Sequence, residues 1–279
     1  MPRPSIVQVT VVLLVALVGT MAIAAVQRVR QRRAGEATAA PVATRDGAAA
    51  RAAATAPPLE STITVPDARP ARPAPKPEPT FSVARVKPGR TLALRTRPGG
   101  SVAASVGATT EFGSRTTLAV AARRGRWLGM TSTDLPNGKL GWVRASDRSL
   151  RTHATHIALR IDLSRRRLEL RDGRKVLRHA TVGIGRPGSP TPTGRFSITD
   201  KLAGTAYGSY YGCCILALSG HQTNTPAGWQ GGDRLAIHGT NNPASIGVPS
   251  SAGCLHADAE DLKVLMRKVP LGTPVFIRA

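Results

Sequence analysis

The chain has 279 residues, with 39 Lys and Arg against 16 Asp and Glu for a net charge of +23, and only 4% aromatic side chains. That length accommodates two modest domains with accessory segments, and the charge suits a polyanionic partner such as nucleic acid or cell wall. The basic residues are scattered rather than gathered on one helix, and no zinc-finger or helix-turn-helix pattern is present. Nucleic-acid binding is therefore not expected, and much of the charge reads as an Arg- and Ala-rich composition.

Ile6 to Val26 is an apolar stretch preceded by Arg3. Its roughly twenty residues can span a bilayer. It also fits a secretory signal, with Ala22-Ile23-Ala24 as an A-x-A cleavage site. Residues 1–26 are thus read as signal peptide or signal anchor. Either exports the protein to the cell wall or periplasm, with membrane contact only if the segment is uncleaved. Arg28, Arg30, Arg32 and Arg33 follow it; they run against the positive-inside rule for an anchor and so favour cleavage.

Residues 27–80 are dominated by Ala, Pro, Arg and Thr without apolar periodicity, and a disordered spacer is expected. About fifty such residues reach roughly 40 Å as a flexible coil.

Residues 81–147 carry short apolar runs (Val83, Val86, Leu92, Leu94, Leu118, Val120, Leu128, Val143) split by Gly, Pro and Asn turns, which predicts a small β-barrel. LALRTRPGG, RGRWLGM and GKLGWV in this stretch resemble bacterial SH3-like domains. Such a module serves as a rigid extension of the next domain or as a grip on wall peptides.

Residues 155–279 read as a second, mostly β domain. Ile157, Leu159, Ile161 and Leu163 alternate with Ala158, Arg160 and Asp162, a half-buried strand. Asp172-Gly173 signals a hairpin. KVLRHATVGIG, RFSIT, CCILAL, RLAIH and PVFIR add strands. One helix is expected after Asp258, with Leu262, Leu265, Met266 and Val269 on its buried face.

Three cysteines is an odd count, so at least one thiol lacks an intramolecular partner. Cys213 and Cys214 are adjacent and read as small buried hydrophobes on a strand, since a disulfide between neighbours needs unusual geometry. Cys254 instead sits among small residues in SSAGCLH, four residues before the helix cap. A thiol near a helix N-terminus and a histidine is expected to have a lowered pKa. His238, ending RLAIH, is the candidate base, and amides around Cys254 are candidate oxyanion donors. The competing readings are a structural thiol, a core histidine, or a metal site of His238, Cys254 and His256. The last lacks the paired ligand spacing of zinc sites. Tyr207, Tyr210 and Tyr211 all fall in AYGSYYG, either lining a groove or forming a local packing cluster.

IHGTNNPASIGVPSSAGCLHA resembles the signature of the L,D-transpeptidase (YkuD-type) catalytic domain, and TPTGRFSI and VPLGTPVFI are similar to two further segments of it. The resemblance covers residues 155–279. It implies a β-rich enzyme without cofactor or metal that cross-links peptidoglycan stem peptides through a cysteine thioester. It makes Cys254 the nucleophile and His238 its base, with the Gly239 carbonyl orienting the imidazole. Thr240, Ser251 and Gly253 are expected to shape the pocket. Two positions depart from the family. The histidine two residues before the cysteine is Ala252 here, and the position two after it is His256, expected as a solvated loop residue outside the catalytic set. A monomer is expected. An L,D-carboxypeptidase on the same scaffold, or an inactive wall-binding module, stand as alternatives.

Overall fold

The computed structural model describes residues 77–279. The apolar segment Ile6–Val26 and nearly all of the 27–80 spacer lie outside the described residues. Two β-sheets follow one another along the chain, and each encloses its own apolar cluster.

The first sheet is antiparallel and has seven strands: β1 (Phe81–Val86), β2 (Leu92–Arg95), β3 (Val102–Val106), β4 (Thr117–Arg124), β5 (Trp127–Met130), β6 (Gly141–Arg144) and β7 (Leu150–Thr155). They are ordered β3-β2-β6-β5-β4-β1-β7. Leu92, Leu94, Leu128 and Met130 are fully buried between them, as the alternating apolar positions require. The sheet extends past residue 147, because β7 pairs with β1 along its length, from Phe81↔Thr155 to Val86↔Leu150. Residues 148–154 carry no strand pattern in sequence, and Leu150 is the one large apolar side chain among LRTHAT.

The second sheet begins with β8 (Ile157–Asp162), β9 (Arg167–Asp172), β10 (Lys175–Gly185), β11 (Gly194–Ala203) and β12 (Cys214–His221). It is completed by β13 (Arg234–His238), β14 (Pro249–Ser251), β15 (Leu255–Ala257) and β16 (Pro274–Arg278). Its order is β14-β10-β15-β13-β12-β11-β16-β8-β9, and a further β10–β9 pairing joins the two ends. The hairpin at Asp172-Gly173 forms as expected, with Lys175 opposite Asp172 and Gly173 at φ +55°.

The single α-helix of the described residues, α1 (Ala259–Lys268), starts where Asp258 accepts the Glu260 N–H at 2.8 Å. It buries Leu262, Leu265 and the following Val269 completely, each worth roughly 1.5–3 kcal/mol of apolar transfer.

The two sheets touch through polar contacts. Thr131 Oγ1 donates to Ser197 Oγ at 2.9 Å, and the Asn137 side chain brackets the backbone of His221 at 2.7 and 2.9 Å. Arg234, at the start of β13, ion-pairs with Glu111 from the first sheet at 2.5 Å.

One expectation is overturned around residues 213–214. Cys213 and Cys214 are joined as a vicinal disulfide, with their Cα atoms 3.7 Å apart. Alternation within a strand would have turned neighbouring side chains to opposite faces. Cys213 lies ahead of β12, directly after Gly212 at φ +59°, so that alternation does not govern it. Only Cys214 joins the buried core.

Candidate active site

The parallel pairing of β13 with β15 builds the site. Its register sets Ile237 opposite Leu255 and His238 opposite His256. Ile237 and Leu255 turn into the core, so the alternate positions His238, His256 and, one step before Leu255, Cys254 share the other face. The two imidazole centroids are 4.8 Å apart. Cys254 is partly exposed, is not disulfide-bonded, and lies in the tight link between β14 and β15. Its Sγ donates to the Arg234 carbonyl at 3.8 Å.

His238 is buried. Its Nδ1 lies 2.6 Å from the Gly239 carbonyl. A carbonyl only accepts, so the proton sits on Nδ1 and the Nε2 lone pair is left free. The turn that presents this carbonyl runs against residues 211–213. A Cβ on Gly239 would stand 2.9 Å from the Tyr211 oxygen, and one on Gly212 would stand 2.7 Å from the Thr240 nitrogen. Glycine at both positions lets the two backbones approach this closely.

The cysteine loop is clamped from three sides. Thr191 Oγ1 donates to the Gly253 carbonyl at 2.8 Å and accepts the Gly185 N–H at 2.8 Å. The Gln222 side-chain amide reaches the carbonyls of Ala252, Pro190 and Ser189 at 2.9, 3.1 and 3.3 Å. Ser251 Oγ donates to the Cys254 carbonyl at 2.6 Å and accepts the Gly253 N–H at 3.0 Å. Gly253 has φ +123°, and a Cβ there would overlap the Gln222 amide. The segment from Gln222 to Asp233 arches beside the cleft, its ends joined by Gln222 N–H to the Asp233 carbonyl at 2.6 Å.

The expected residues therefore separate. Cys254, His238, Tyr210 and Tyr211 line one narrow cleft, together with Ala252, Trp229 and Arg234. The Tyr210 and Tyr211 rings lie 5.6 and 5.0 Å from the His238 ring. Tyr207 lies apart, 37–46% exposed with Phe112 and packed edge-on against it at 6.1 Å. Ser251 is buried and spends its hydroxyl on the loop itself, and Thr240 Oγ1 caps the following turn by accepting the Asn242 N–H at 3.0 Å. The Gly253 N–H, a candidate oxyanion donor, is already taken by Ser251.

His256 is buried rather than solvated. Its Nδ1 is 2.8 Å from Ser245 Oγ, and its Nε2 is buried without a hydrogen-bond partner among the described residues. Gln222 carries no motif in sequence that points to this role.

Electrostatics correct a further expectation. Loss of hydration in the cleft pushes the Cys254 thiol up to about 11, against an opposing backbone hydrogen bond from Ala236. Desolvation is the larger of the two causes acting on the thiol, and it sets the direction of the shift. Burial, then the neighbouring His256, lowers His238 to about 4 despite the Gly239 bond. Burial, followed by the proximity of Cys254, raises the Tyr210 and Tyr211 hydroxyls, which stay protonated. The resting pair is a neutral thiol and a neutral imidazole.

Residues 156–277 match the model of the L,D-transpeptidase catalytic domain, YkuD. A Bacillus subtilis protein named as an L,D-transpeptidase, YkuD, is 34% identical over 124 residues, 44% of this chain and 65% of that protein. Its Bacillus licheniformis namesake is 31% identical over 119 residues, 42% of this chain and 62% of that protein. The chain thus spans somewhat under two thirds of the curated relatives it matches. Among solved structures, an L,D-transpeptidase from Mycobacterium smegmatis aligns with a TM-score of 0.39 at 14% identity, over 71% of this chain and 99% of that one. A variant of the Enterococcus faecium L,D-transpeptidase aligns with a TM-score of 0.35 at 21% identity, over 44% and 50%. Residues 156–277, which hold the cleft of Cys254 and His238, are thus similar to the YkuD-type L,D-transpeptidase catalytic domain.

Proposed function

We propose that the protein is an exported peptidoglycan L,D-transpeptidase working through a thioester on Cys254. The observation that carries this reading is the one cleft that a free thiol and a buried imidazole both line, the imidazole fixed by the Gly239 carbonyl with Nε2 free. Cys254 Sγ attacks the carbonyl carbon at the L-centre of the third stem residue, and His238 Nε2 takes the thiol proton. The tetrahedral oxyanion is within the compass of the Tyr210 and Tyr211 hydroxyls, both protonated donors in the cleft. Collapse breaks the peptide bond, and His238 returns the proton to the departing D-alanine amine. A neighbouring stem amine then attacks the thioester, gives its proton to His238, and releases the thiolate, which takes that proton back.

The first sheet fits the rigid-extension role of an SH3-like module, because its Glu111 holds Arg234, whose carbonyl accepts from Cys254. A monomer is proposed, with residues 1–26 acting as the export signal.

The test is digestion of cell walls after incubation with wild-type protein or Cys254→Ala. New 3→3 cross-links with the wild type alone are expected. Shortened stems without cross-links would replace transfer by hydrolysis, and no change in either would remove the enzymatic reading.

A further inference from the structure

On the outer face of the second sheet, away from the cleft, the strand registers lay out a basic groove. Arg195 is opposite Phe276, Phe276 opposite Arg160, and Arg160 opposite Glu169, one row across β11, β16, β8 and β9. The next row on that face runs Arg278, Asp162, Arg167. The opposite face of β8 and β9 carries the buried Leu159, Ile161, Leu168 and Leu170, so alternation commits these charges to the outside.

Asp162 already serves Arg278 at 2.8 Å and Arg165 at 4.0 Å, and Glu169 serves Arg167 at 2.6 Å and Arg171 at 2.7 Å. Arg160 and Arg195 have no acidic partner among the described residues; both guanidiniums lie over the Phe276 ring, 5.8 and 5.3 Å from its centroid. Cation–π contact holds a guanidinium in place without neutralising it. Arg174 donates to the Pro77 carbonyl, and Glu78 at the rim accepts only its backbone N–H. The groove, about 610 Å³, therefore carries several uncompensated guanidiniums, each a planar fork suited to phosphate oxygens.

We propose that this groove binds a linear anionic polymer with a phosphodiester in each repeat, of the polyol-phosphate kind, as a surface separate from the cysteine cleft. A nucleic acid fits less well. Phe276 is the only aromatic side chain lining the groove among the described residues, and it lies beneath two guanidiniums and against Phe81 at 5.7 Å, leaving no open ring for base stacking. None of the exposed large hydrophobic side chains among the described residues lines the groove, so a membrane has nothing there to anchor.

The test is titration of the full chain with a synthetic twelve-repeat poly(glycerol phosphate) at 50–300 mM NaCl, with a single-stranded DNA 12-mer in parallel. Binding that weakens linearly in log–log with salt is expected. Arg160→Gln/Arg195→Gln should reduce the slope by about 1.4, at roughly 0.7 per lost phosphate contact on a single strand. Arg195 also donates to Ala121 of the first sheet, so Arg160→Gln alone, with an expected change of about 0.7, guards against a packing effect. Arg267→Gln/Lys268→Gln, at the exposed end of α1, should leave binding unchanged. An unchanged slope in the groove variants, an equal loss in the α1 variant, or DNA binding as tightly with the same groove dependence would each overturn the proposal. Binding is read without acylation, so its failure is separable from failure of the cysteine chemistry.

Discussion

Replacing His238 by Gln tests the proton inventory of the cleft directly. With the Cys254 thiol at about 11, the thiolate fraction without a base is about 10⁻⁴ at pH 7 and about 10⁻² at pH 9. Acylation of His238→Gln should therefore rise about a hundredfold between those pH values, at one decade per unit. The wild-type imidazole, held at about 4, is already unprotonated throughout that range, so the wild-type rate should stay flat and fall only near pH 4. At pH 7 the variant should be slower by about 10² or more, the usual worth of a positioned base. Single-turnover acylation by a carbapenem, followed by intact-protein mass spectrometry, measures both profiles. A flat profile in His238→Gln would mean that the fold ionises the thiol unaided. A wild-type rate climbing tenfold per unit from pH 7 to 9 would mean that His238 never takes the proton.

Cys254→Ser should abolish the carbapenem adduct while Cys213→Ser/Cys214→Ser keeps it, by mass of the intact chain; an adduct mapping to residue 213 or 214 would displace the nucleophile. Gln222→Ala removes the shared donor of three loop carbonyls and should cost about 1–3 kcal/mol in urea unfolding, with a larger loss of acylation than of stability. His238 is depressed from 6.5 to about 4 in the fold. Protons thus favour the unfolded state as pH falls through that window, and stability complete above pH 6.5 should decline by roughly 3 kcal/mol by pH 4. Since His256 is the second cause holding His238 down, His256→Asn should move the acid limb of acylation upward in pH. A limb that stays in place would reduce His256 to packing.

The architecture was legible because its signals are local. Alternation in β8, the Asp172-Gly173 hairpin and the Asp258-capped helix depend on neighbours in sequence, and each stands where the pattern puts it. Strand β7 was not legible, since its pairing with β1 is satisfied by backbone bonds while its side chains stay polar and exposed. Within the site, Cys254 and His238 could be read as reactive residue types in short motifs. The Gln222 clamp could not, because its three acceptors are backbone carbonyls on two distant segments, 189–190 and 252, that carry no side-chain signature. The thiol's pKa was misread for a related reason. Distance in sequence from the helix cap suggested a dipole, whereas three-dimensional enclosure decides the hydration of the sulfur.

The two histidine-related departures from the family pattern resolve into one geometric statement. Position 252 lies on the clamped loop and lines the cleft with Cys254. Position 256 lies on β15, registered beside His238 and buried, with one nitrogen held by Ser245 and the other unpartnered among the described residues. An imidazole at 256 is therefore enclosed where a side chain at 252 lines the cleft. It acts instead on the base, by proximity to a ring 4.8 Å away whose protonation it disfavours. The chain thus carries an imidazole beside His238 and only a methyl group at position 252. Ala252 leaves the space above the thiol to the Tyr210 and Tyr211 hydroxyls and the Gln222–Asp233 segment beside them.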